Sequence, residues 1–279
     1  ADGNTAVGYF SLKANTTGVN SVAVGLCALS ANTTGTQNVA IGYLSGDAIT
    51  TGNYNSLLGA NAGGQLTTGS QNVVMGQGAL QTATTGSCNT VFGDSSMSST
   101  TTGPKNTAVG QQSLTSLTTG SFNTAVGICA GCTITTGANV TTIGRNAQPS
   151  SATVSDEFTL GDTNVTNLRC NDTSISSLSD LRDKKNVEDI PHGLDYILAL
   201  RPVKFDWNRR DGTRIDKKDY GFIAQELDKV EETFGNREYT RLVSKENPDK
   251  WEADPMKTYP ILIKAIQELK AEIDELKKG

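Results

Sequence analysis

The chain has 279 residues and a net charge of −5, and that charge is unevenly spread. Residues 1–150 hold only Asp2, Lys13, Asp47, Asp94, Lys105 and Arg145, while the other 47 of the 53 Asp, Glu, Lys and Arg follow. No basic field covers either half, which argues against a nucleic-acid partner, and no apolar run approaches the roughly 20 residues of a membrane span. With no initiator Met and no signal peptide, the sequence reads as the C-terminal piece of a longer chain.

Residues 1–151 are repetitive. Glycines from Gly8 to Gly144 recur every 17 residues, and a second series from Gly18 to Gly137 does the same, each preceded by two threonines. Unbroken phase over nine turns is the signature of a solenoid. Runs such as Asn38-Val39-Ala40-Ile41-Gly42 and Asn123-Thr124-Ala125-Val126-Gly127 read as short strands. The column Val7, Val24, Ile41, Leu58, Met75, Phe92, Val109, Val126 and Ile143 is apolar throughout, and its side chains are expected to point inward. A softer apolar site at Leu12, Leu29, Leu80, Met97 and Leu114 becomes glycine at Gly46, Gly63 and Gly131. The Thr-Thr-Gly corners are expected to supply a turn glycine with φ above zero. Aligned threonines are also one way to build an ice-binding face, but each pair abuts a glycine turn, so they are read as corners.

One coil buries less than the ordering of its residues costs, so coils are expected to stack and chains to pack together. The Asn-x-Ala-Val/Ile-Gly pattern resembles the head repeats of trimeric autotransporter adhesins and repeats in phage tail fibres. That resemblance implies three chains winding parallel β-rolls about one axis.

Cys27, Cys88, Cys129, Cys132 and Cys170 are scattered. Cys129-Ala130-Gly131-Cys132 has the CxxC form, yet no second pair or clustered His completes a zinc site. These residues are read as small, semi-buried side chains, and no metal or cofactor is expected. Residues 152–178 form a β-rich connector, with strands expected at Glu157–Gly161 and Asn167–Cys170, then an extended Ser174–Leu178. From 179 the chain is charged and aromatic. A helix is expected over Leu194–Leu200, after a turn holding the single histidine, His192. Strands follow at Val203–Trp207 and Tyr220–Ala224 about a turn at Arg209–Gly212, then a helix from Gln225 through Glu232, and a short strand at Thr240–Val243. From about 260 to 278, Leu262, Ile266, Leu269, Ile273 and Leu276 step by four and three as a coiled-coil seam. Ile at a and Leu at d would favour two strands in isolation.

Ser179-Asp180-x-Arg182-x-Lys184, Gly193-Leu194, Leu200-Arg201-Pro202-Val203 and Gly221-Phe222-Ile223-Ala224-Gln225-Glu226, followed by a terminal coil, resemble the intramolecular chaperone domain of endosialidase-type phage tail spikes. The resemblance covers 179–279. It implies that three copies drive the upstream fibre to trimerise and that each domain is then cut off at Leu178–Ser179. Ser179 would be the nucleophile, beside the carbonyl it must attack, and a serine needs a base. The family gives that role to Lys184, which must lose its proton through burial or through neighbouring Arg182 and Lys185. Serine–lysine pairs substitute elsewhere for a histidine triad. Asp180 and Arg182 match the motif, and ion pairing that shapes the loop is the bland account of them. Taken alone, the string could be a capped helix start with Ser179 as N-cap.

The expected whole is mainly β: a trimeric parallel β-solenoid shaft followed by a small α+β chaperone ending in a coiled-coil helix. As a tail fibre or spike fragment it would reside on the virion; the rivals are a bacterial surface adhesin or a fibre that keeps its helper. Its partners would be two further copies of itself and a host-surface receptor or glycan, though no cluster of aromatics or charges marks a receptor site. A 17-residue repeat leaves register nearly degenerate, so the C-terminal domain is expected to set the starting point.

Overall fold

The computed structural model describes residues 2–165, 167–169, 179–210, 215–235, 237–245 and 251–278. The chain divides into two units, Ala1–Thr166 and Asn167–Gly279.

In the first unit ten three-residue strands form one parallel sheet in sequence order. They are β1 (Thr5–Val7), β2 (Val22–Val24), β3 (Val39–Ile41), β4 (Ser56–Leu58), β5 (Val73–Met75), β6 (Thr90–Phe92), β7 (Thr107–Val109), β8 (Thr124–Val126), β9 (Thr141–Ile143) and β10 (Phe158–Leu160). Each residue pairs with the one 17 positions on, as Val74 does with Val91. Parallel neighbours need a crossover, and here the crossover is the rest of the coil, so the unit is a β-solenoid. The strand expected at 157–161 is β10, paired with β9. Asn167–Arg169 form no strand, while Cys170 and Ser174–Leu178 lie outside the described residues.

The direction of the strand side chains differs from expectation. In a strand of three, the middle residue faces opposite to the outer two. From β2 onward, Ala23, Ala40, Leu57, Val74, Val91, Ala108, Ala125 and Thr142 are the buried ones. The always-apolar column faces outward instead: Ile41, Leu58, Met75, Val126 and Ile143 are exposed. The interior is filled by that middle column and by the softer site, where Leu29, Leu80, Met97 and Leu114 are fully buried.

Backbone geometry explains why the softer site alternates between a large side chain and none. Its residues all lie in the left-handed region, from Leu29 (φ 51°) and Leu114 (φ 49°) to Gly46 (φ 57°) and Gly131 (φ 59°). Where glycine stands, Ile49, Leu66 or Ile134 three residues on is buried in the core. A Cβ on Gly46 would lie 2.6 Å from Leu57 Cδ1 and 3.0 Å from Ile49 Cδ1, so Ile49 helps fill the space that a side chain at 46 would need.

The corner glycines serve a different purpose from the one expected. Gly18, Gly35, Gly52 and their successors do not have φ above zero. They are glycine because the next coil stacks against them: a Cβ on Gly52 would sit 2.3 Å from the carbonyl oxygen of Gly69. The first threonine of each corner is bound to the following coil, as in Thr50 Oγ1 donating to Thr67 O at 3.2 Å. Two residues after each corner glycine stands an exposed, left-handed position, occupied in turn by residues as unlike as Tyr54, Cys88, Lys105 and Phe122.

Just before each of β3 to β8 lies a buried asparagine, at 38, 55, 72, 89, 106 and 123. Asn72 Nδ2 donates to Asn55 Oδ1 at 3.0 Å and to Gly86 O at 2.9 Å. Its Oδ1 accepts from Asn89 N at 3.0 Å and Asn89 Nδ2 at 3.2 Å. Buried amides are tolerable only when satisfied, and this ladder satisfies them from coil to coil. Cys129 and Cys132, read as small packing residues, are instead joined in a disulfide that bridges one turn of the eighth coil.

The second unit is α+β. Helix α1 (Leu194–Ala199) leads to a hairpin of β11 (Val203–Asn208) and β12 (Ile215–Gly221), then α2 (Ala224–Phe234) and a helical turn α3 (Arg237–Thr240). β13 (Val243–Ser244) pairs with β14 (Glu252–Ala253), and α4 (Tyr259–Leu276) ends the unit. The second hairpin strand was expected at Tyr220–Ala224 but runs earlier. Antiparallel pairing with β11 draws in the charged Asp216–Asp219, and Ala224 already opens α2. Its turn at Asp211–Gly212 lies outside the described residues. The strand expected at Thr240–Val243 is shortened, because Arg241 has φ 45° and separates α3 from β13. Tyr196, Leu227, Leu242 and Ile261 form the core. On α4 the buried residues are Ile261 and Ala265, whereas Leu262, Ile266, Leu269, Ile273 and Leu276 are all exposed.

Candidate functional site

Ser179 lies in the second unit, and Leu178 lies outside the described residues. A single 3-10 turn, Leu181–Asp183, follows. Its cap is Asp180, not Ser179: Asp180 Oδ1 accepts from Arg182 N at 2.9 Å. The same carboxylate holds the Arg182 side chain, with Nε to Oδ1 at 3.0 Å and Nη2 to Oδ2 at 2.6 Å. This two-pronged pairing holds the Asp180 carboxyl below its ordinary range and raises the Arg182 guanidinium. Two residues on, Lys184 closes the turn through its N–H to Leu181 O at 3.1 Å. The turn brings Lys184 Nζ to Ser179 Oγ, to which it donates at 2.6 Å. Asp180 and Arg182 are thus paired with each other across the turn. The two residues of the expected catalytic pair are in contact.

Both members of that contact are exposed in the single chain. His192 is engaged elsewhere, its Nδ1 3.1 Å from Asp195 Oδ2 and its ring edge-on to Phe234.

The remaining motif residues build the support. Arg201 Nε and Nη2 clasp Glu226 at 2.9 and 2.5 Å, tying the start of the hairpin to the first turn of α2. That pairing lowers the Glu226 carboxyl and raises Arg201. Gly193 is buried because α4 crosses it: a Cβ there would lie 2.8 Å from Ala265 N. Glu268 of α4 accepts from Leu194 N at 2.6 Å, satisfying a free amide at the start of α1. Glu268 and the buried Glu231, which accepts from Thr240 Oγ1 and Leu242 N, both at 2.6 Å, went unnoticed in the sequence. Only the glycine of Gly193-Leu194 hinted at a close crossing.

The chain thus joins a stacked parallel β-solenoid to an α+β unit in which Lys184 donates to Ser179. Residues 179–236 match the family model described as chaperone of endosialidase, so the resemblance read from the motif residues is shown for this segment. Family and shaft together fit a protein like a phage tail fibre. No curated protein matches the chain, and no solved structure does. Among the described residues no helix is long and apolar enough to cross a membrane.

Proposed function

We propose that this chain is part of a viral tail fibre or spike whose C-terminal unit assembles three copies of the shaft and then releases itself at Leu178–Ser179. The observation that carries the reading is the 2.6 Å contact from Lys184 Nζ to Ser179 Oγ at the head of the family-matched segment. In the reaction, neutral Lys184 takes the Oγ proton as Oγ bonds to the Leu178 carbonyl carbon. The C–N bond breaks, the Ser179 nitrogen takes a proton, and the acyl group rests on Oγ as an ester. Water hydrolyses that ester, freeing the Leu178 carboxylate and a new N-terminus at Ser179.

Two features support assembly with identical copies. The α4 seam is apolar and uncovered, and the outward face of β1–β10 carries no charged residue along its whole length. Assembly also bears on chemistry, since a lysine base needs desolvation and one chain leaves Lys184 in water. A neighbouring copy covering the loop would provide it. Placement on a virion and contact with a host receptor or glycan belong to the same proposal.

The test is the mass and N-terminal sequence of the chain after expression. Pieces 1–178 and 179–279, the second starting at Ser179, are expected. A stable species at the full 29.4 kDa would remove autocleavage.

A further inference from the structure

The outward column of the sheet is uneven in size, and its unevenness is ordered. It runs through Leu58, Met75 and Phe92 on β4 to β6, then drops to Val109 and Val126. Strands β7 and β8 share one sequence, Thr-Ala-Val, and are interchangeable on this face. The inward column also falls, from Leu57 through Val74 and Val91 to Ala108 and Ala125, but it faces the chain's own core, so only the outward column can meet another chain.

We propose that Leu58, Met75 and Phe92 form a register lock between copies of this chain. The inference rests on the parallel self-assembly proposed above. The occupant of this face is another copy of the same shaft because its pitch requires one. Apolar side chains recur once per strand, about 4.8 Å apart, over ten strands without a charge, and a parallel copy offers the same spacing over the same length. In the correct register each layer meets its own kind, phenylalanine with phenylalanine and methionine with methionine. A slip of one coil costs nothing at β7 against β8. At β6 it sets Phe92 against Met75 or Val109, which leaves a void in one layer and a clash in the next. Shafts that zip from the C-terminal unit would thus pass through near-degenerate coils first and be checked at β6 to β4. The repeat is less ambiguous than its period implies.

The experiment moves the lock in the full-length chain. Phe92→Val with Val109→Phe shifts the large layer by one coil; Met75→Phe with Phe92→Met is a second version that conserves total volume. Each is co-expressed with the wild-type chain under a different tag, and the assemblies are separated by tandem affinity and weighed by native mass spectrometry. Each variant alone is expected to form trimers, while mixed trimers fall at least about tenfold below random mixing, equivalent to a mismatch of about 1.4 kcal/mol. Random mixing among intact trimers would overturn the lock and leave the assembly reading standing. Failure of both variants to assemble alone would also overturn it, since like-with-like layers are all it requires. A wild-type chain that is monomeric by mass would overturn both readings.

Discussion

Ser179 Oγ and Lys184 Nζ meet at 2.6 Å because Asp180 caps the turn between them and occupies Arg182 with both carboxylate oxygens. The two side chains are therefore brought together by the local backbone of residues 179–184, without help from the distant core.

Removing either partner should stop the cut. Ser179→Ala and Lys184→Ala are each expected to slow cleavage at least about a hundredfold, and Lys184→Arg should not rescue it, because arginine does not give up its proton. Denaturing gels over time supply the rate. Cleavage of Lys184→Ala at the wild-type rate would remove lysine from the mechanism.

Cleavage should depend on assembly. Ile266 and Ile273 are 59% and 45% exposed and outside the core of their own unit, so Ile266→Asp with Ile273→Asp should leave that unit folded. Light scattering should show a loss of trimer and gels a slower cut. A monomer that cuts at full speed would show that no neighbour is needed over Lys184.

Within the shaft, Asn72→Leu removes the bonds donated to Asn55 Oδ1 and Gly86 O and the two accepted from Asn89, leaving Gly86 O and the Asn89 backbone N–H without those partners. At about 1–3 kcal/mol for each buried group left unsatisfied, the expected loss is about 4 kcal/mol. The check is a denaturant melt of the uncleaved Ser179→Ala chain. A change below about 1 kcal/mol would mean that water or a shifted ladder substitutes.

Gly52→Ala introduces a Cβ 2.3 Å from a backbone oxygen that cannot rotate away. Coils must part, and a loss of about 3 kcal/mol is expected by the same melt. An unchanged midpoint would contradict the close stacking.

The pH dependence has a definite sign. Asp180 and Glu226 are held below their ordinary values of 3.8 and 4.5, chiefly by Arg182 and Arg201. Depressed carboxylates stabilise the folded state above those values, and the effect is lost as pH falls through the lower folded ones. Asp180→Asn with Glu226→Gln should therefore lower the melting temperature by a constant amount above about pH 5, and the difference should close towards about pH 2. A difference that grew on acidification would reverse the assignment.

The period of 17 made the solenoid legible, since no other architecture keeps that phase over so many coils. Side-chain direction was not legible, because the column that is apolar in every coil is the one facing outward, and composition cannot separate a core from a covered exterior. The Thr-Thr-Gly corners misled for a related reason. Glycine answers both a left-handed φ and a close backbone approach, and only coordinates tell Gly46 from Gly52. The contacts of the loop were more legible, as Asp180, Arg182 and Lys184 make theirs within five residues of Ser179. Glu268 was hidden because its partner, Leu194, is 74 residues away.

The exposed left-handed position after each corner has a consequence for how such a shaft can vary. Its backbone angle is nearly constant, from φ 56° at Asn20 to 61° at Cys88 and Asp156, while its side chains are amide, phenol, thiol, amine, aromatic ring and carboxylate. The ladder and the stacked glycines, by contrast, keep one residue type from coil to coil. At this edge a chemical group can be carried outward without disturbing the coil beneath. Side-chain chemistry can therefore be rewritten along this rail while the stacked section beneath it stays as it is.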